Sequence, residues 1–277
     1  MGFALAGHRY LVSRRVSQAA ILSLFIAGNL FGLKALRGNL STSRALDSVY
    51  LADPFSVLQI AASGTVVAGE ALFGAAVVLA FFGLVGGRTF CGWVCPMNAV
   101  TDCANWLGHK LGGVSGGRDL RISRDARYWA IGVSLVLSML LGYAAFEQIS
   151  PISMLHRGAI HGMGMGWAVV AAVFCFDLFV LRNGFCGHLC PLGGFYALAG
   201  RYGLLRVRHE KDKCTLCMKC IEHCPERQVL LMVGRQSGEV LSGECTNCGK
   251  CIDVCNDRAM GFGLRFSGPG ARTDTHS

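Results

Sequence analysis

Residues 214–225 read Cys214-Thr-Leu-Cys217-Met-Lys-Cys220-Ile-Glu-His-Cys224-Pro225, and residues 245–256 read Cys245-Thr-Asn-Cys248-Gly-Lys-Cys251-Ile-Asp-Val-Cys255-Asn256. Eight of the chain's 14 cysteines lie in these two copies of one pattern. Three cysteines at two-residue gaps wrap a tight loop around one face of a compact inorganic centre. The fourth, three residues further on, is expected to open a helix and reach elsewhere. Zinc also uses Cys-x-x-Cys pairs, but it does not need a third cysteine two residues on and a fourth after three, twice over. The spacing is that of [4Fe–4S] ligation.

In the two-cluster form of this spacing the fourth cysteine serves the other cluster. Cys214, Cys217, Cys220 and Cys255 are therefore expected to hold one cluster, and Cys245, Cys248, Cys251 and Cys224 the other. The second copy has Asn256 where the first has Pro225. Proline shapes the turn and excludes solvent without being a ligand, so potential is open to change and occupancy is not.

Upstream of this tail the chain changes character. It has 277 residues, a net charge of +9, 52% hydrophobic residues and only 16% charged ones. A soluble domain carries about 25% charge, and so apolar a chain is neither disordered nor collagen-like. Four runs are nearly free of charge: Val16–Leu33, Pro54–Gly87 with Glu70 alone, Tyr128–Phe146, and Gly158–Phe176. Each is long enough in helix for a bilayer core, which takes about 20 apolar residues. With both termini inside, 22 of the 26 basic residues fall on the inner side and 4 on the outer. By the positive-inside rule both termini are expected to be cytoplasmic, and a disulfide framework in the tail is disfavoured there. The charge distribution accounts for the +9 through a membrane, so no nucleic-acid partner is expected. Arg14-Arg15 resembles a twin-arginine signal, but Lys34-Ala35-Leu36-Arg37 follows where a cleavage site would stand. Gly112–Gly117 lacks the phosphate-loop pattern and reads as a flexible loop.

The second and fourth runs are each followed by one motif. Phe90-Cys91-Gly92-Trp93-Val94-Cys95-Pro96 and Phe185-Cys186-Gly187-His188-Leu189-Cys190-Pro191 both read F-C-G-x-x-C-P, 95 residues apart. The repeating unit is two spans and a motif, and both copies emerge on the cytoplasmic side. Three roles fit Cys91, Cys95, Cys186 and Cys190: ligands of a third cluster, redox thiols or transient ligands at a partner interface, or shapers of helix ends. Cys103 and Cys175 fit no pattern and are expected in the core.

Fold class follows. The expectation is a membrane α-helical domain, with four transmembrane helices as a two-hairpin repeat, over residues 1–205. A bacterial-type double [4Fe–4S] ferredoxin domain of small α+β type follows over 206–265, and 266–277 is expected to be a disordered tail.

The ordered combination of four spans, two F-C-G-x-x-C-P motifs and a double-cluster tail resembles the NapH family. So do Thr101-Asp102-Cys103-Ala104-Asn105-Trp106, Asp53-Pro54 followed by Leu58-Gln59, and Pro151-Ile152-Ser153-Met154-Leu155-His156-Arg157. That family is the ferredoxin-type membrane subunit of the quinol dehydrogenase serving periplasmic nitrate reductase, and the resemblance covers nearly the whole chain. It implies oxidation of membrane quinol, with a periplasmic iron–sulfur subunit and a multihaem cytochrome as partners in the bacterial inner membrane. The chain would be a subunit of such an enzyme rather than a stand-alone one. Membrane polyferredoxins of nitrous-oxide respiration, methylamine use and copper-oxidase maturation share the same pieces. For them the reading is assembly or redox sensing for another respiratory enzyme. The chain has no C-x-x-C-H and so no c-type haem of its own.

Quinol oxidation needs an apolar slot, polar grips on the ring oxygens and a proton acceptor. Ionisable residues at membrane depth are the candidates. Glu70, Glu147 and His156 are the quinol-site residues singled out, with Gln148 and His161 beside them, all towards the outer face. For Glu70 the competing role is an interhelical hydrogen bond, and for Glu147 and His156 an interfacial position. Asp177, at the inner end of the fourth run, is expected to pair with Arg182 or Arg88.

Overall fold

The computed structural model describes residues 8–111, 123–162 and 164–265. The glycine-rich stretch Gly112–Gly117 and the expected tail 266–277 lie outside the described residues.

The first helix, α1 (Arg9–Leu30), begins seven residues before the first apolar run, and among the described residues it is the one helix long and apolar enough to cross a membrane. A three-stranded antiparallel sheet follows, in a stretch read from sequence as a plain loop: β1 (Leu36–Gly38), β2 (Thr42–Ala45) and β3 (Val49–Ala52). Its strands are three or four residues long, too short for alternation to register. Its turns are built locally instead. The Asn39 side-chain oxygen accepts from the amides of Ser41 (2.9 Å) and Thr42 (2.8 Å), and Leu46 and Asp47 both take positive φ between β2 and β3.

The 34-residue second run does not form one helix. As a single helix it would be about 51 Å long, against a hydrocarbon core of about 30 Å. It splits into α2 (Pro54–Ala62), capped by the Asp53 carboxylate on the Ser56 amide at 2.9 Å, and α3 (Gly69–Val85). Between them Gly64 adopts φ +77, a conformation that ends a helix cheaply only at glycine. Two short elements come next, α4 (Thr89–Trp93) and α5 (Met97–Lys110).

The third run gives α6 (Ala126–Leu141), which stops before Phe146 because Gly142 caps it in the left-handed region. After α7 (Ala145–Ile149), α8 (Pro151–His161) takes the first residues of the fourth run, leaving α9 (Gly166–Phe179). Helices α3, α6 and α9 are apolar but only 14–17 residues long. Phe185–Leu189 form a π-turn, and α10 (Pro191–Ala199) starts at its proline.

The tail is a small α+β fold. Strand β4 (Leu205–His209) is the centre of a second antiparallel sheet in the order β5–β4–β6, with α11 (Lys219–His223), β5 (Gly238–Glu239), α12 (Lys250–Asp253) and β6 (Met260–Leu264). Leu205 pairs with Leu264 and Arg208 with Glu239. Val207, Leu230, Val233, Val240, Ile252 and Met260 form its apolar core, together with the cysteines.

The described residues divide into two compact units. One takes those of Met1–Arg14, Phe82–Gly92 and Tyr196–Ser277, and the other those of Arg15–Phe81 and Trp93–Phe195. The double-cysteine tail therefore shares its unit with the start of α1 and with the first half of the first F-C-G-x-x-C-P motif.

Candidate iron–sulfur centres and a buried polar cluster

The two cysteine loops of the tail have the same backbone. In the first, Leu216 (φ +61) and Met218 (φ +57) flank Cys217; in the second, Asn247 (φ +47) and Gly249 (φ +71) flank Cys248. Left-handed residues alternating with right-handed ones turn successive N–H groups inward, and such nests hold anionic groups, iron–sulfur clusters among them. The fourth cysteine does not open a helix as expected: α11 ends at His223, and Cys224 is extended at ψ +129. Pro225 is the reason, because the residue before proline is driven out of the helical region.

Cys220 has as its electrostatic neighbours Cys255, Cys214 and Cys217. Cys251 has Cys248, Cys245 and Cys224 foremost. A pocket is lined by Cys224, Cys245, Cys248 and Cys251 against Val207 and Leu230. Among the described residues no three His, Cys, Asp or Glu side chains close on a single metal ion. A cubane spreads its four ligand sulfurs wider than one tetrahedral zinc does, so the nests, the thiol sets and the lined pocket fit [4Fe–4S]. Burial pushes the Cys245 thiol up to about 11, with the Arg206 and Arg88 guanidiniums pulling the other way. Burial also raises Cys224 and Cys251. These sulfurs are neutral thiols on their own and become thiolates only against the positive charge of iron.

The two F-C-G-x-x-C-P motifs are partly assembled. In the second unit Cys95 and Cys190 are both buried, and Cys186 lies beside them. Burial first, then the Cys190 and Cys95 thiols and Asp177, hold Cys186 well above an ordinary thiol. The Thr101 hydroxyl is 3.3 Å from its sulfur, and the Gly193 amide donates to Cys190 Sγ at 3.4 Å. Three of the four motif cysteines thus converge in one unit, while Cys91, half-buried, belongs to the other. Cys103 and Cys175 are exposed, not in the core. On α5 the buried residues are Met97, Thr101, Ala104 and Gly108, and on α9 they are Val173, Asp177 and Leu178, so each cysteine falls on the outward face.

The expected partner of Asp177 is corrected in one respect. Arg88 donates to Glu226 at 2.6 Å and to the Glu244 carbonyl at 3.0 Å. Asp177 accepts from the Phe185 amide at 2.9 Å and so pins the start of the second motif. Sequence reading passed over Glu226, because a single glutamate after a ligand cysteine carries no signal of its partner 138 residues away.

Of the quinol-site residues, two are brought near each other through α8. The Glu147 carboxylate accepts from the Ser41 hydroxyl at 2.5 Å and the Ser153 hydroxyl at 2.7 Å. His156, one turn on from Ser153, is 1% exposed, and neither ring nitrogen has a hydrogen-bond partner among the described residues. Its ring stands edge-on to Phe25 at 4.6 Å, and burial pushes its pKa down to about 4, leaving a neutral imidazole. Glu70 is exposed on the first turn of α3, and no hydrogen bond among the described residues joins it to Glu147 or His156. Gln59, fully buried, accepts from the Phe146 amide at 2.9 Å and fixes α7 to α2; it had no sequence signal beyond its place beside Leu58.

Comparison with known proteins agrees with this layout. A family model described as a 4Fe-4S binding domain matches twice, at residues 67–113 and 163–211, and each match contains one F-C-G-x-x-C-P copy. A 4Fe-4S dicluster domain matches residues 206–256. The methylamine utilization ferredoxin-type protein MauN of Methylorubrum extorquens is 45% identical over 87% of this chain and 84% of its own. MauN of Paracoccus denitrificans is 43% identical over 87% and 85%. The ferredoxin-type protein NapH of Escherichia coli is 42% identical over 80% and 77%. No solved structure gives a significant match.

Proposed function

Because the chain belongs to the family of the ferredoxin-type proteins NapH and MauN, an iron–sulfur electron-transfer family, we propose that it oxidises membrane quinol and passes the electrons through two [4Fe–4S] clusters to partner subunits. The observation that carries this is His156: a fully buried imidazole whose nitrogens have no hydrogen-bond partner among the described residues, one turn from a serine that a carboxylate holds. A quinol hydroxyl needs a neutral base in an apolar slot, and His156 is one. Its burial withholds the proton from His156 in the resting state, while Glu147, Ser153 and Ser41 offer the grip on the ring oxygen. Oxidation releases two protons and two electrons: the electrons leave through the clusters, His156 takes one proton and the other passes to water at the outer face.

In this reading residues 1–205 form four membrane spans with both termini cytoplasmic, in the bacterial inner membrane, and residues 206–265 are the ferredoxin domain. Cys214, Cys217, Cys220 and Cys255 hold one cluster and Cys224, Cys245, Cys248 and Cys251 the other. Anaerobically purified chain is expected to carry about eight Fe, four per cluster. About twelve would mark a third cluster on Cys91, Cys95, Cys186 and Cys190, and stoichiometric zinc without iron would end the reading.

Purified chain, reconstituted with its partner subunit, is expected to oxidise a short-chain quinol. His156→Leu is expected to lower turnover by about 100-fold, in the range of a lost general base, with both tail clusters intact by EPR. Unchanged turnover in that variant would remove the site. The terminal acceptor is proposed to be periplasmic nitrate reductase, the electrons returning across the membrane from the cytoplasmic clusters to a periplasmic iron–sulfur subunit and a multihaem cytochrome. Two MauN relatives at 43–45% identity favour a second setting for the same electron transfer, methylamine utilization. Deleting the gene and scoring growth on nitrate against growth on methylamine separates the two.

A further inference from the structure

The two clusters of the tail are not equivalent, and the difference lies within one compact unit. Leu216 and Asn247 hold the same loop position, both left-handed, yet Leu216 is 54% exposed and Asn247 is 2%. Cys217 is exposed like its neighbours Leu216 and Met218, whereas Cys248 is buried with Thr246 and Asn247. What buries the second loop is the start of the first F-C-G-x-x-C-P motif. A Cβ on Gly92 would lie 2.8 Å from the Thr246 carbonyl oxygen and 3.8 Å from Cys248 Cβ, so glycine is what lets the two backbones meet.

The contact is fixed from several sides. The Asn247 amide donates to the Thr89 hydroxyl at 3.4 Å and to the Leu205 carbonyl at 3.0 Å. Arg88 reaches Glu226, two residues beyond Cys224, and the Glu244 carbonyl, one residue before Cys245. Arg14 donates to the Gly92 carbonyl at 3.0 Å.

We propose that the cluster of Cys224, Cys245, Cys248 and Cys251 is the inner one, exchanging electrons with the membrane-edge motif next to Cys91. The cluster of Cys214, Cys217, Cys220 and Cys255 is then the outer one, exchanging with a soluble redox protein. The order along the wire is motif, inner cluster, outer cluster, partner. Gly92 is a positioning residue: it sets the distance between the motif and the inner ligand loop.

The test uses the full chain in detergent, chemically reduced, then mixed with ferric cytochrome c. Each reduced cluster gives one electron to one haem iron, Fe(III) becoming Fe(II), with no bond or proton change. The wild type is expected to deliver two electrons in a fast phase. Cys248→Ala is expected to deliver one, still fast. Cys217→Ala is expected to deliver one, with the fast phase lost. A fast electron from Cys217→Ala would overturn the order. A second measurement leaves every ligand in place. Gly92→Val is expected to shift the EPR g-values and midpoint potential of one cluster only, and that cluster is the one shielded from a water-soluble dysprosium chelate. If the shifted cluster is instead the one the chelate relaxes, or if neither shifts, the inner and outer assignment is wrong.

Discussion

Arg88→Met is expected to destabilise the iron–sulfur unit by about 3–5 kcal/mol, the usual cost of leaving one partner of a buried ion pair uncompensated. The Arg88 and Glu226 side chains are 2% and 3% exposed and 2.6 Å apart. Without the guanidinium, the buried Glu226 carboxylate loses its charged partner, while the Gln228 side chain still donates to it at 2.9 Å. Against total stabilities of about 5–15 kcal/mol, this is a large share. The loss should appear as earlier bleaching of the iron–sulfur absorbance in urea. Arg88→Met combined with Glu226→Leu is expected to recover most of it, since an apolar pair of similar volume replaces a buried ion pair at little net cost. A single variant as stable as the wild type would show that the pair does not hold the segment.

The second large effect falls on the cysteines of the two F-C-G-x-x-C-P motifs. Cys95→Ser and Cys190→Ser are each expected to lower electron flow from quinol to the tail clusters by at least about 100-fold, the upper end of what even outer-shell partners of a metal site cost. The double variant is expected to fall no further, because groups that act as a unit are not additive. The physical ground is the convergence of Cys95 and Cys190 on Cys186, whose thiolate form both of them disfavour. EPR signals of the tail clusters should persist in all three variants, since their eight cysteines are untouched. Full activity in Cys95→Ser, or effects that multiply in the double variant, would reduce the motifs to helix-end structure.

Some of this molecule is local in the chain, and that part the sequence determined alone. Ligand spacing is a property of consecutive residues: Cys214, Cys217 and Cys220 must share a loop whatever surrounds them. The repeat of F-C-G-x-x-C-P is likewise visible at a fixed offset, and the family models match it twice. Apolar helices are legible in outline, but their ends are not. A 34-residue run carries no mark of where it breaks, and Gly64 and Gly142 act through a backbone conformation that composition does not record. The sheet over Leu36–Ala52 escaped notice because its strands are shorter than any period.

What tertiary structure decided is which distant residues meet. Arg88 lies 138 residues from Glu226, and Gly92 more than 150 from Thr246 and Cys248. No local pattern encodes such pairs, because the energy that selects them is desolvation: a guanidinium and a carboxylate leave water together, and a glycine fits where any Cβ would strike a carbonyl. The same burial encloses His156, whose ring nitrogens have no hydrogen-bond partner among the described residues, and turns one of two near-identical cysteine loops inward while its twin stays at the surface.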